Sequence, residues 1–140
     1  MLNTSNWKLH HVAHAVDDLD KTAAMYASLF GFSVSGREVL QQQNVELCFL
    51  EFQNSRIELL MPISRAKQSG IVKFLNERGP GLHHICFEVE DIAAELERLL
   101  ALSVQLVDSV PRPGAHGSSI AFVHPKSTDG ALIELCEVTG

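Results

Sequence analysis

The chain has 140 residues and a mass of 15.4 kDa; 46% of its residues are hydrophobic and 20% are charged, which is typical of a soluble globular protein. Eleven Lys and Arg against 17 Asp and Glu give a net charge of −6, which argues against a basic surface for nucleic-acid phosphates. No window approaches the roughly 18 consecutive apolar residues of a membrane-spanning helix, so neither nucleic acid nor a membrane is an expected partner.

The first half of the chain is predicted to contain a strand, a helix and then further strands. Residues 10–16 alternate as a strand does, and Asp18 or Asp20 caps a helix that ends at Gly31. A short strand within 32–39 is followed by strands over 45–52 and 56–61, joined by a turn at Asn54 and Ser55. A brief helix over 71–77 leads into a Gly-rich link. The order is βαβββ.

The second half repeats this order. We expect a strand over 83–89, a helix over 91–100 with Ile92, Leu96, Leu99 and Leu100 on one face, and strands over 104–107, 119–123 and 131–136. The loops 111–117 and 124–130 are rich in Pro, Gly and Ser and are expected to form the walls of a site. The chain is thus predicted to be one α+β domain, 1–140, with paired βαβββ modules at about 7–62 and 81–138 and a linker at about 63–80.

An internal repeat supports this division. Residues 9–19 and 82–92 share five of eleven identities at an offset of 73, including the doublets His10-His11 and His83-His84. The segments Ile57-Glu58-Leu59 and Ile133-Glu134-Leu135 lie 76 residues apart, so only three residues are inserted between the halves. Each half is therefore predicted to be a structural copy of the other.

Strand alternation selects four polar side chains on the face that the helices leave open. The bulkier face of each first strand is expected to pack against a helix, which leaves one histidine of each doublet and one glutamate of each Ile-Glu-Leu segment on the opposite face. These residues are His11, Glu58, His84 and Glu134. Two imidazoles and two carboxylates, completed by water, suit a divalent ion such as Co, Mn, Ni, Fe, Zn or Mg.

The three cysteines indicate a reducing compartment. Cys48, Cys86 and Cys136 lie far apart within apolar runs, and none belongs to a CxxC pair. The first eight residues also carry no basic segment followed by an apolar run of the kind that directs export. A cytoplasmic location is expected.

The motifs of the chain resemble those of the vicinal oxygen chelate superfamily, also known as the glyoxalase fold. The resemblance spans about 9–137 and rests on the four residues above and on two loop motifs, 112–117 (Arg-Pro-Gly-Ala-His-Gly) and 124–135 (His-Pro-Lys-Ser-Thr-Asp-Gly-Ala-Leu-Ile-Glu-Leu). It is closest to the branch whose members epimerise methylmalonyl-CoA. The resemblance implies paired βαβββ modules forming a cup around a metal, and a homodimer.

The same resemblance implies an isomerase that removes and returns the C2 proton of methylmalonyl-CoA through a metal-stabilised enolate. His11, Glu58, His84 and Glu134 take the positions of the metal ligands, and some epimerases carry Gln at the position of Glu58. Glu134 is the candidate base on one face of the substrate. Lys126 and Ser127, just before the strand of Glu134, are candidate substrate-binding residues.

The chain departs from the pattern at the second acid/base. Leu47 stands where bacterial epimerases of this branch often carry a catalytic Glu. If Asn54 and Ser55 form a two-residue turn, Glu51 pairs with Glu58 and is the candidate for this role; a three-residue loop would reverse that parity.

Two other functions are compatible with such a chain. One is a glyoxalase-like isomerase or lyase that acts on another substrate through the same four ligands. The other is a binding protein that sequesters a small molecule, but such proteins tend to lack the metal ligands and to use aromatic walls. The chain keeps all four candidate ligands and has one Trp and one Tyr, which favours an enzyme.

Overall fold

A computed structural model describes residues 6–139 of the chain. The first five residues and Gly140, which the predicted domain 1–140 includes, lie outside the described part. The chain divides into two compact units. One is His11–His83; the other contains the chain from His84 onwards together with the segment that ends at His10. Among residues 6–139, no helix combines the length and the apolar character needed to cross a membrane.

The unit His11–His83 contains a four-stranded arrangement in the order β2-β3-β4-β1. Strands β1 and β4 are parallel, whereas β2, β3 and β4 are joined antiparallel. The elements are β1 (Lys8–Ala15, which begins in the other unit), α1 (Leu19–Phe30), β2 (Glu38–Leu40), β3 (Val45–Glu51), β4 (Arg56–Pro62) and α2 (Gly70–Arg78).

The unit that begins at His84 has the order β5-β8-β7-β6. Strands β5 and β8 are parallel, and β6, β7 and β8 are joined antiparallel. The elements are β5 (Gly81–Glu88), α3 (Ile92–Ala101), β6 (Arg112–Pro113), β7 (Ser119–Val123) and β8 (Ile133–Glu137). The same sequence of elements, βαβββ, is therefore present twice, as the repeat predicts.

The helices begin where the sequence indicates. The Asp18 carboxylate accepts a hydrogen bond from the Lys21 backbone N–H at 3.1 Å, and Asp91 accepts one from Ala94 at 3.0 Å. Helix α1 ends at Gly31, whose φ of 75° lies in the left-handed region that glycine adopts without strain.

Helices α1 and α3 each cover one face of the strands in their own unit. Leu19 of α1 packs with Val16, which follows β1, and with Cys48 of β3 and Leu59 of β4. Ile92 and Leu96 of α3 pack with Val89, Ala121 and Leu135 in the same way. Leu100, which was predicted on the buried face of α3, is 50% exposed, so the buried face of this helix is narrower than the sequence predicted.

Two predicted strands differ from the structure. Residues 104–107 form no strand and make a single bridge, from Leu106 to Val123. Pairing stops there because the backbone N–H groups of Val107 and Asp108 both donate to the Phe122 carbonyl, which turns the chain. The third strand of this unit is instead β6, within the segment predicted as a loop. The strand predicted within 32–39 is reduced to β2 and a bridge from Val34 to Leu50.

Candidate metal centre

His11 and Glu58 form a buried pair in the unit His11–His83. His11 shares its face of β1 with Ala13 and Ala15, both fully buried, and Ala13 is the register partner of Glu58 on β4. His11 Nε2 and Glu58 Oε1 are 3.5 Å apart, with side chains only 6% and 8% exposed. Alternation has therefore placed both groups on the face that α1 leaves open, as predicted.

An aromatic ring supports this pair. Phe49 is paired with Glu58 across β3 and β4, and its ring contacts the His11 ring in an edge-to-face arrangement at 5.7 Å between centroids. The Arg56 guanidinium lies 6.0 Å from the centroid of the same ring. Phe49 is 1% exposed, so it has little freedom to move and restricts the orientation of the imidazole.

His84 and Glu134 form the corresponding pair in the other unit. His84 Nε2 and Glu134 Oε1 are 3.1 Å apart, with side chains 4% and 7% exposed. The two residues lie on adjacent parallel strands, where Cys86 is the register partner of Glu134. This pair reproduces the His11–Glu58 pair in residue type, strand arrangement and burial.

The aromatic support is also repeated. Phe122 is paired with Glu134 across β7 and β8, and its ring contacts the His84 ring edge to face at 5.3 Å. The Arg112 guanidinium lies 5.6 Å from the Phe122 centroid. Asp108 contacts both Phe122 and Arg112. Its carboxylate accepts a hydrogen bond from the Phe122 backbone N–H at 2.9 Å and lies 3.2 Å from Arg112 Nε.

Phe49 and Phe122 were not predicted as site residues, although the sequence contains a signal for them. The two residues are 73 residues apart, the same offset that separates His11 from His84. Their position directly opposite each glutamate depends on the strand register, which the repeat alone does not give.

The donor set and its spacing fit a divalent ion. Two ligands at about 2.1 Å from an ion, at right angles, are about 3 Å apart. The separations of 3.5 Å and 3.1 Å within the two pairs are close to this value. A buried histidine beside a buried carboxylate also forms the type of pair that ion binding stabilises. Each pair can thus supply two adjacent ligands.

Glu51 is placed differently from the arrangement that a two-residue turn would give. Four residues, 52–55, separate β3 from β4, and the register pairs Glu51 with Arg56 and not with Glu58. Glu51 Oε2 accepts a hydrogen bond from Arg56 Nε at 3.1 Å, and the Glu51 side chain is 56% exposed. Glu51 lies on the same face of the strands as Glu58, but two positions beyond Phe49, the residue of β3 that pairs with Glu58. Leu47 shares that parity and is fully buried.

Lys126 and Ser127 lie in a short 3₁₀ turn, Pro125–Ser127, between β7 and β8. Both are exposed. The Ser127 hydroxyl accepts a hydrogen bond from the Gln105 backbone N–H at 2.8 Å, and the Lys126 backbone N–H donates to His124 Nδ1 at 3.1 Å. The turn is therefore anchored to its own unit while the Lys126 ammonium faces solvent.

The chain is similar to known proteins over nearly its whole length. The family model for the glyoxalase/bleomycin resistance protein/dioxygenase superfamily matches residues 10–122. The chain is 41% identical over 134 residues to an ethylmalonyl-CoA/methylmalonyl-CoA epimerase of Cereibacter sphaeroides, covering 94% of this chain and 98% of that one. It is 40% identical over 131 residues to a mitochondrial methylmalonyl-CoA epimerase of Dictyostelium discoideum, covering 93% and 78%.

A solved structure gives the same result for the fold. A variant of the Streptomyces coelicolor methylmalonyl-CoA epimerase, in complex with 2-nitronate-propionyl-CoA, is 33% identical, with a TM-score of 0.90 and coverage of 95% of each chain. The predicted fold of paired βαβββ modules is confirmed by this similarity and by the element order of the two units.

Proposed function

Because the chain belongs to the glyoxalase/bleomycin resistance protein/dioxygenase superfamily, and within it to the methylmalonyl-CoA epimerases, we propose that it interconverts the (R) and (S) forms of methylmalonyl-CoA at C2. The chain is an enzyme of the isomerase class. The observation that carries the proposal is the duplicated buried pair, His11 with Glu58 and His84 with Glu134, in a chain about 40% identical to these epimerases.

The proposal assigns all four residues to one divalent ion: Co, Mn, Ni, Zn, Fe or Mg. Such an ion, when bound, would stabilise the negative charge that develops on the thioester oxygen as C2 loses its proton. The two imidazoles and two carboxylates would hold the ion, and the ion would supply Lewis-acid stabilisation of the substrate oxygen. The assignment of a metal is supported by donor type, by burial and by the spacing within each pair.

Proton transfer is assigned to Glu134 on one face of the substrate. A carboxylate held in a buried strand position has the fixed geometry that general base catalysis requires. Glu51 is the candidate for the other face, and to act it would have to leave its ion pair with Arg56. Leu47, at the position where related enzymes often have a Glu, cannot transfer a proton. A strong dependence on Glu134 and a weaker one on Glu51 are therefore expected.

Lys126 and Ser127 are assigned to substrate binding. Lys126 offers a solvent-facing cation for a carboxylate or phosphate of the acyl-CoA, and the anchored Ser127 fixes the turn that carries it. The proposal also includes a single functional domain, a cytoplasmic homodimer and an acyl-CoA as the small-molecule partner.

The experiment follows the C2 proton of methylmalonyl-CoA by proton NMR in deuterated water. Enzyme reconstituted with Co²⁺ or Mn²⁺ is expected to exchange the proton rapidly, and a metal-stripped sample is expected not to. Ethylmalonyl-CoA is tested beside it, because the name of one relative includes that substrate. Absence of exchange on both thioesters with metal bound would refute the assigned reaction and favour a glyoxalase-like substrate instead.

Two variants separate metal binding from chemistry. His84→Ala is expected to lose bound metal, measured by elemental analysis, with little change in far-ultraviolet circular dichroism. Glu134→Gln is expected to keep part of the metal and to lose proton exchange. Lys126→Ala serves as a matched variant outside the ligand set and is expected to raise KM with little effect on kcat. Exchange at an unchanged rate in Glu134→Gln would remove Glu134 from the mechanism.

A further inference from the structure

A second cluster of metal-binding side chains lies within one unit, beside Glu134 but made of none of the four residues assigned above. It consists of His10 on β1, Cys86 on β5 and Cys136 on β8. One ligand atom from each residue, a ring nitrogen or a thiol sulfur, lies within 4.8 Å of the other two. All three residues belong to the unit that begins at His84, whose N-terminal segment ends at His10.

The surroundings of the cluster are apolar except for the Glu134 carboxylate beside Cys86. Cys86 and Cys136 are 0% and 2% exposed and pack with Ile120, Phe122 and Leu132. His10 is half-buried and gives the cluster a side closer to solvent. A polar cluster in such a place requires internal partners, since water does not reach the two sulfur atoms.

We propose that His10, Cys86 and Cys136 form a binding site for a thiophilic divalent ion of the zinc class. In tetrahedral zinc sites, thiolate and imidazole ligands are about 3.5–3.8 Å apart, so the three donors need to approach by only about 1 Å. Two thiolates and a neutral imidazole also balance the charge of a divalent ion, which lowers the cost of burying that ion. The two thiol protons pass to solvent when the ion binds.

The ligand type distinguishes this site from the His and Glu pairs. Thiolates select soft and borderline ions, whereas a set of two imidazoles and two carboxylates accepts harder ones. A disulfide between Cys86 and Cys136 is the competing arrangement for the two sulfurs. The third donor favours the metal, because a disulfide uses only the two sulfur atoms, whereas a metal uses all three donors that the chain brings together.

The experiment uses the full chain, reduced and stripped of metal, and titrated with Cd²⁺ and in a second series with Co²⁺. Thiolate ligands produce a charge-transfer absorption in the near ultraviolet that imidazole and carboxylate ligands do not produce. Wild-type protein is expected to develop this band. Cys86→Ser and Cys136→Ser are expected to lose it, and His10→Gln is expected to weaken Cd²⁺ binding about tenfold or more.

Cys48→Ser is the matched control, because Cys48 is equally buried but lies in the other unit against α1. This variant is expected to keep the band. Glu58→Ala is expected to keep it too, which separates this site from the one assigned to catalysis. Where a serine variant does not fold by circular dichroism, the alanine variant replaces it.

Three results would overturn the proposal. One is wild-type protein that binds Cd²⁺ without a thiolate band. Another is a band that persists in the Cys86→Ser, Cys136→Ser double variant. The third is a thiol count under native conditions that shows Cys86 and Cys136 joined as a disulfide, which does not re-form a thiolate site without a reductant.

Discussion

Phe49 lies directly opposite Glu58 on the neighbouring strand, and the same ring that occupies this position restricts the imidazole of His11. Phe122 stands in the same relation to Glu134 and His84. His11 and His84 thus each have a carboxylate beside them and an aromatic ring against them. The two phenylalanines cannot bind a metal themselves, so any effect they have on metal binding acts through the histidines.

Substitution of either phenylalanine is expected to weaken metal binding. Phe49→Leu and Phe122→Leu remove the edge-to-face contact and leave the imidazole freer to rotate, so we expect about a tenfold higher Kd for Co²⁺ by calorimetric titration. Phe52→Leu is the control, because Phe52 lies in the loop after β3 and is 37% exposed. Equal affinities in all three variants would show that the rings do not position the histidines.

Acid is expected to destabilise the protein partly through His14. His14 Nδ1 lies 2.9 Å from the Tyr26 hydroxyl, and burial lowers the pKa of His14 below its ordinary value of 6.5. The unfolded chain therefore binds this proton more tightly than the folded chain does. The free energy of unfolding carries no penalty from His14 well above about pH 6.5, and it falls as the pH decreases through and below that value.

Urea unfolding from neutral to mildly acidic pH tests this expectation. His14→Gln should lose less stability over that interval than the wild type, since no proton is taken up at the position. A pH dependence identical in wild type and His14→Gln would contradict the assignment.

Asn44 is expected to be important for stability and not for metal binding. It is 2% exposed, has a φ of 58°, and its amide accepts from the Ser64 backbone N–H at 3.1 Å and donates to the Ser64 carbonyl at 2.9 Å. Asn44→Ala would leave these backbone groups without their hydrogen-bond partner and would place alanine in the left-handed region. We expect the free energy of unfolding to fall by about 2–4 kcal/mol.

The comparison with Asn44→Gly separates the two causes. Glycine loses the same hydrogen bonds but adopts positive φ freely, so this variant should be about 1 kcal/mol more stable than Asn44→Ala. Chemical denaturation gives both values. A glycine variant no more stable than the alanine variant would mean that backbone strain contributes nothing at this position.

Gly114 is expected to tolerate no side chain. A Cβ there would lie 2.5 Å from Ile120 Cγ2 and 2.8 Å from the Ser118 hydroxyl, and Ile120 is 3% exposed on β7. Gly114→Ala should therefore lower the free energy of unfolding by about 1–3 kcal/mol. Gly36→Ala is the control, because a Cβ at Gly36 meets no heavy atom within 4 Å. Equal stability of the two variants would show that the loop shifts without cost.

Features of the fold that depend on local pattern are predictable from the sequence. A cap of α1 at Asp18 or Asp20 and the open-face positions of His11 and Glu58 follow from spacing and alternation. The structure uses Asp18 for the cap and places both side chains on that face. The position of Glu51 could not be predicted in this way, because it depends on the length of the loop 52–55, and one additional residue changes every pairing beyond it.

The strand predicted at 104–107 was wrong for a related reason. Its β-branched and apolar residues fit a strand, but strand pairing requires a partner edge in register. The two hydrogen bonds that Phe122 accepts from Val107 and Asp108 bend the chain at that point instead. The third strand then forms at β6, in a segment whose two prolines, Pro111 and Pro113, favour a loop by composition.

The two halves of the chain differ most in one hairpin. Phe49 and Glu58 are separated by nine positions, whereas Phe122 and Glu134 are separated by twelve, so the three inserted residues all fall in the connection that carries Lys126 and Ser127. The connection 124–132 has room for the 3₁₀ turn Pro125–Ser127, whereas the four residues 52–55 form no such turn. Two units with matching buried pairs therefore differ in the loop that each one presents to solvent, so a variant in that loop can change one unit without any counterpart in the other.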